Sequence, residues 1–321
     1  MASNAICKCN YGLNNTALPG CVPIAQVIKK VIFVQLQNNA GTLAYINPST
    51  TLNKAWATAL INNTDKSTRW FPTPELKNVT LEKEAPVFES YEDGSSYFVR
   101  EGVRKIAAVI PDCPPMYKAA LESVRCNANT GVFFVDINGN IIGLTNESDG
   151  NLYPFPINTQ SMVGSVVFGD DKQVGKVNVM FELPAYIKDA DIRMIQGTAF
   201  PDFSPVTLQG LLTVNATLVG AVTDTGMTVQ LTTPSPDLST NIAVTGWLLA
   251  NFVSSSTGST GKIYDVTDST DKTITSVTES ATIPGQYTFV WTSMSGKTLT
   301  LAASTPGYDS INLQSLAVVT P

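Results

Sequence analysis

The chain changes character near residue 200, and that break constrains its fold more than any motif does. Residues 1–199 carry 17 of the 20 Lys and Arg and 18 of the 26 Asp and Glu, a local net charge of −1. Residues 200–321 carry 3 basic and 8 acidic residues, a local net of −5, and 39 of these 122 positions are Ser or Thr. The reading is an ordinary mixed domain followed by a Thr/Ser-rich, nearly Lys-free β domain. The Pro-punctuated run Phe200-Pro201-Asp202-Phe203-Ser204-Pro205 reads as the linker, giving domains 1–201 and 202–321. Such a pairing suits a surface or assembly protein, whose function lies in repeated contacts rather than in a pocket.

Composition narrows the function further. No histidine occurs among the 321 residues. That removes Ser-His-Asp and Cys-His nucleophilic catalysis, His general bases and most zinc or non-haem iron sites, and points away from an enzyme. Net charge is −6 with no basic run, so sequence-independent phosphate binding is not expected, whereas an acidic surface would let nucleic acid pass without sticking. The N-terminus lacks a basic-then-apolar leader, and no stretch reaches about 18 uninterrupted apolar residues, so neither a signal peptide nor membrane insertion is expected. Five cysteines (Cys7, Cys9, Cys21, Cys113, Cys126) with no leader argue against a disulfide framework. The Cys7-x-Cys9 spacing does not match paired zinc knuckles.

Along the first domain, residues 1–21 read as an irregular arm and Val22–Gln37 as a strand. Asn38–Pro74 is a long polar insertion with a short helix at Leu52–Ile61. Strands follow at Val79–Glu89, Ser96–Gly102 and Val103–Ile110. Asp112 is placed to cap a helix over Pro115–Asn127, with Met116, Tyr117, Ala120, Leu121 and Val124 on its apolar face. Val132–Gly143 reads as a hairpin turning on Asn138-Gly139 through a type I′ turn. Ser161–Phe168, Lys176–Leu183 and Asp189–Gln196 complete a mostly antiparallel sheet system with one packed helix. In the second domain, eight short strand candidates recur every 8–12 residues or so, the spacing of an Ig-like sandwich. Trp247 and Trp291 are its natural core residues, and Ser254–Gly261 reads as a flexible loop tip.

No site emerges with catalytic, cofactor or metal character. Asp170-Asp171 reads as a solvated turn. Asp136, Asn138, Asn140 and Glu147 imitate a calcium loop, but Ile141 stands where that loop needs glycine. Tyr97, Phe98, Phe133 and Phe134 read as core aromatics, and Gly102, Gly131, Gly143, Gly164 and Gly175 as turns and bulges. The acidic run Glu82, Glu84, Glu89, Glu92, Asp93 reads either as a solvated edge that discourages strand pairing or as an acidic lining facing DNA.

The Val22–Gln37 strand, the Asn38–Pro74 insertion, the Pro115–Asn127 helix, the Val132–Leu144 hairpin and the strand KVNVMFEL together resemble the tail-tube (major tail) proteins of long-tailed bacteriophages. Some of these append a C-terminal Ig-like domain, similar to residues 206–321. The resemblance implies a structural virion protein, assembled in the host bacterial cytoplasm. About six copies would close into a ring by extending their sheets, and rings would stack through Asn38–Pro74 and the N-terminal arm. Other tail proteins would be partners, and DNA would pass through the lumen without sequence-specific binding. The Ig-like domain would project outward, toward host surface glycans. A head-decoration, fibre or adhesin subunit using that domain to bind glycans is the alternative.

Overall fold

The computed structural model describes residues 25–146, 149–172, 174–235, 241–310, 313 and 317–321. The expected arm, Cys7, Cys9, Cys21 and Glu147 lie outside the described residues. The fold is mainly β and antiparallel, with helix α2 packed on a sheet.

In the first domain the elements are β1 (Ile28–Gln35), α1 (Lys54–Ile61), β2 (Phe71–Pro72), β3 (Lys77–Lys83), β4 (Val87–Ser90), β5 (Ser96–Arg100), β6 (Arg104–Pro111), α2 (Tyr117–Arg125), β7 (Thr130–Asp136), β8 (Ile141–Thr145), β9 (Leu152–Tyr153), β10 (Phe155–Pro156), β11 (Asn158–Val167), β12 (Lys176–Leu183) and β13 (Ile192–Ile195). They build a seven-stranded sheet ordered β13-β8-β7-β1-β2, with β9 on β8 and β10 on β7, and a four-stranded sheet ordered β11-β12-β6-β3.

The central pair β1 and β7 explains the layering. Ile32 lies opposite Phe133 and Phe33 opposite Val132. Val31, Phe33, Val132 and Phe134 enter one core, shared with Ile106, Val177 and Phe181 of the four-stranded sheet. Ile32, Val34, Phe133 and Val135 enter a second core on the opposite face. Strands buried on both faces carry unbroken apolar runs, which is what VIFV and VFFV are.

The second core is completed by the Asn38–Pro74 insertion, which reads in the sequence as a long polar stretch. Ile46, Leu52, Ala57, Ile61 and Trp70 bury against β1 and β7 and form its lid. Helix α1 starts where Asn53 accepts the Trp56 N–H at 2.8 Å, satisfying an otherwise orphaned donor. The linker is not free either. Phe200 and Leu208 are buried in the same core, with Phe203, Val206 and Leu211 packed on it, and Asp202 accepts the Lys54 N–H at 2.8 Å. First-domain packing therefore continues to Leu211.

Two local expectations change. Asp112 does not cap α2: it sits at φ +50°, and the helix opens five residues later, at Tyr117, from a turn in which the Pro114 and Pro115 carbonyls accept from Tyr117 and Lys118. Of the expected apolar face, Leu121 is buried, while Met116 and Ala120 are exposed. The hairpin between β7 and β8 is not type I′, since Gly139 has φ +79° but Asn138 is not left-handed. Its three-residue loop is a type I turn closed by glycine. The reason is Asp136, fully buried, whose carboxylate accepts from the Asn138 and Asn140 backbone at 2.9 Å each, from Asn140 Nδ2 at 2.7 Å and from the Gln26 N–H at 3.1 Å.

The second domain comprises β14 (Leu212–Thr213), β15 (Asn215–Leu218), β16 (Gly226–Thr233), β17 (Ile242–Ala243), β18 (Lys262–Asp265), β19 (Thr270–Glu279), β20 (Gln286–Trp291), β21 (Thr298–Thr300), β22 (Tyr308–Asp309) and β23 (Ala317–Val319). The path β15-β16-β20-β19-β18-β21-β23 wraps one core containing Val229, Phe289, Ile263 and Leu299, with Trp247 and Trp291 buried in it. β19 makes the path continuous. Its end pairs with β20 and its start with β18, across a bulge between Ile274 and Ser276. The expected flexible tip is tied down: Ser254 is buried and donates to Asp271, as does Thr257.

Candidate assembly surface

The four-stranded sheet buries one face and leaves the other bare. Val177, Val179, Phe181 and Leu183 of β12 point into the first core with Ile106 and Ile110 of β6. Alternation then sends Asn178, Met180 and Glu182 outward, beside Ala107, Val109 and Lys105 of β6 and Val163 and Ser165 of β11. Met180 and Val163 are each 48% exposed, although they sit near the middle of the face. Charges there cancel locally: Lys105 lies 2.7 Å from Glu84 and 3.7 Å from Glu182, with Glu82 its cross-strand neighbour. The outer strands of this sheet are β3 and β11. β3 is irregular near its start, with Asn78 at φ +48°, a device that blunts pairing locally.

Between β3 and β6 the chain leaves the body as a two-stranded arm, β4 and β5. Sequence reasoning took Tyr97 and Phe98 for core aromatics; Tyr97 is 62% exposed and Phe98 half-buried. They pair within the arm: Phe88 with Phe98 at 5.9 Å and Tyr91 with Tyr97 at 5.4 Å, both edge to face. Phe88, Val87 and Val99 are exposed too. An isolated two-stranded hairpin is marginal in water, so an arm this apolar gains stability from a surface that covers it. Its neck is fixed. Gly102 lets the strands converge, since a Cβ there would stand 1.7 Å from the Glu84 carbonyl oxygen, and Lys83 pairs with Glu101 at 3.0 Å.

The acidic run is divided between these surfaces. Glu82 and Glu84 lie at the sheet, where Lys105 holds the Glu84 carboxyl below its ordinary range. Glu89, Glu92 and Asp93 ride on the arm, and Asp93 is held low by bonds from Ser95. Asp170 accepts the Lys172 N–H in an exposed turn. Asp136 and Asn140 cap a loop, as described, instead of gathering round an ion. Among the described residues no group of three or more His, Cys, Asp or Glu is placed to hold a metal. Cys113 and Cys126 flank α2 as thiols, the former raised by burial. Phe133 and Phe134 are core residues, as read from the sequence.

The two domains meet through charged groups that sequence reasoning did not single out. Arg69, 4% exposed, donates to Asp309 Oδ2 at 2.7 Å and to the Asn63 carbonyl at 2.6 Å. Within the first domain's packing, Lys30, also buried, donates to the Leu208 carbonyl, and burial lowers its pKa to about 8. A pairing separated by 240 residues leaves no local signal. Among the described residues no helix is long and apolar enough to cross a membrane. Set against known proteins, the chain matches no family model and no curated protein.

Proposed function

We propose that this chain is a structural subunit that polymerises as stacked rings, about six copies each, forming the tail tube of a bacteriophage through which DNA passes. The observation that carries the reading is the four-stranded sheet with two outer strands, a bare outer face and an aromatic arm rising from its β3–β6 connection. Joining β3 of one copy to β11 of the next satisfies both rows of edge hydrogen-bonding groups. Six such sheets make about 24 strands; at about 4.8 Å spacing and about 40° tilt the barrel is roughly 48 Å across between backbones. The lumen is then lined by Asn178, Ser165, Met180, Val163 and the charge-balanced Lys105–Glu182 row. It offers no basic groove for phosphate to grip. The arm, not Asn38–Pro74, supplies the contact between neighbouring rings, and the second domain lies outside the barrel.

Cross-linking tests edge pairing directly. A variant with all native cysteines replaced by serine receives one cysteine at Glu82 on β3 and one at Ser165 on β11, and is treated with a flexible bis-maleimide. Edge-to-edge closure yields a ladder of covalent oligomers that stops at the ring size. A monomer band unchanged at every protein concentration refutes the reading.

A further inference from the structure

A groove of about 440 Å³ runs between α2, the segment that carries β2, and the start of the second domain. Trp70, Leu121, Val124 and Leu211 give it an apolar lining, and the exposed Phe71 ring stands in the same lining. Three charged residues line it as well: Lys66, Arg69 and Asp309. Arg69 and Asp309 are paired to each other at 2.7 Å, so the groove's net charge is that of Lys66. Lys66 is exposed and, among the described residues, has no ion-pair partner.

The arm of β4 and β5 carries the complement. Tyr97 lies opposite Glu89, so the two share one face of the arm, and Tyr91 meets Tyr97 edge to face at 5.4 Å. Val99, two residues on from Tyr97, points to the same side. All four side chains are exposed, and Glu89 too has no ion-pair partner among the described residues. Glu92 and Asp93 add further negative charge at the tip. Within one chain the arm does not cover the groove, since Tyr97 and Phe71 both stay exposed.

We infer that the groove beside α2 receives the arm of a second copy, with Tyr91 and Tyr97 against the apolar lining and Glu89 against Lys66. Aromatic side chains seated in an apolar pocket are the usual anchors of a protein interface. The charges match in sign, an acidic arm face meeting a groove of net charge +1. The arm and the groove are different surfaces of the same chain, so the contact is heterologous and repeats from copy to copy without pairing off. The inference rests on the assembly reading for its second copy, but it makes no use of the β3–β11 edge pairing.

Photo-cross-linking of the full-length chain tests it. Tyr97 is replaced by p-benzoylphenylalanine, isotopically heavy and light chains are mixed, and the adducts are located by mass spectrometry. The expected result is heavy–light adducts that join the arm to residues 66–72 or 117–127. Ala120→Trp and Ser123→Trp fill the groove from exposed positions and should each suppress these adducts while keeping the parent's melting temperature. Lys66→Glu and Glu89→Lys should each lower the yield several-fold, and the double variant Lys66→Glu/Glu89→Lys should restore it. Absence of cross-chain adducts, adducts on another surface of the second copy, or a yield that neither the Trp variants nor the charge reversals change overturns the inference. The bis-maleimide ladder from Glu82 and Ser165, run in parallel, reports ring closure separately. Loss of the groove contact with that ladder intact therefore refutes this inference alone.

Discussion

Replacing Asp309 by asparagine should destabilise the protein more than any change at a surface ion pair. Arg69 is 4% exposed and Asp309 15%, so neither charge is well solvated, and their 2.7 Å contact joins elements 240 residues apart. Taking one member from a buried pair leaves the other charge uncompensated and costs about 3–5 kcal/mol. At roughly 2–4 °C per kcal/mol for a domain of this size, Asp309→Asn should lower the melting temperature by roughly 6–20 °C. Exposed pairs such as Lys118 with Glu122, 3.1 Å apart on α2, are worth about 0.3–0.5 kcal/mol. Scanning calorimetry of Asp309→Asn, Arg69→Met and the double variant Arg69→Met/Asp309→Leu gives the decisive comparison. The single variants should fall by the stated amount, and the apolar pair should recover most of it, because no charge is then left buried. A loss below about 0.5 kcal/mol in Asp309→Asn would refute the reasoning and mean that the domains are not latched through this pair.

Lys30 supplies a pH test. The unfolded chain holds this proton up to pH 10.5 but the folded chain only to about 8, chiefly through burial and against the attraction of Glu75. Between those values the unfolded state binds more protons, so stability should rise as pH climbs through the window, by at most about 3 kcal/mol. In Lys30→Met, urea unfolding should lose that rise, and the variant should be more stable than the parent below pH 8. Asp136→Ala should cost about 3–5 kcal/mol in the same assay, since it strands four N–H donors around a buried loop. By contrast, Phe88→Ser with Tyr97→Ser alters exposed arm residues, so monomer stability should move by about 0.5 kcal/mol or less while sedimentation shows ring stacking lost.

Much of the fold was legible because apolar period reports burial. VIFV, VFFV and KVNVMFEL fall in segments that read as strands, and the apolar spacing of Leu52–Ile61 marks α1, although that spacing does not single out the Asn53 cap at its start. What was not legible depended on distant partners. Asn38–Pro74 looks like a polar insertion because its buried side chains are spread among polar ones: Ile46, Leu52, Ala57, Ile61 and Trp70 converge only once β1 and β7 exist. Tyr97 and Phe98 carry the alternation of a half-buried strand, yet the β3–β6 connection lifts them off the body. The type I′ expectation failed because Asn-Gly is common to two turn types, and the buried Asp136 carboxylate selects the longer loop. β18 was missed because Lys262–Asp265 is four residues long and carries a charge at each end.

The central claim is self-assembly through the β3 and β11 edges with the arm as the stacking contact. Negative-stain electron microscopy of the full-length chain across a concentration series tests it most directly. The account predicts hollow rings that give way to stacked tubes as concentration rises, with the second domain as outward knobs. Dispersed monomers at every concentration, or compact particles without a lumen, would contradict it.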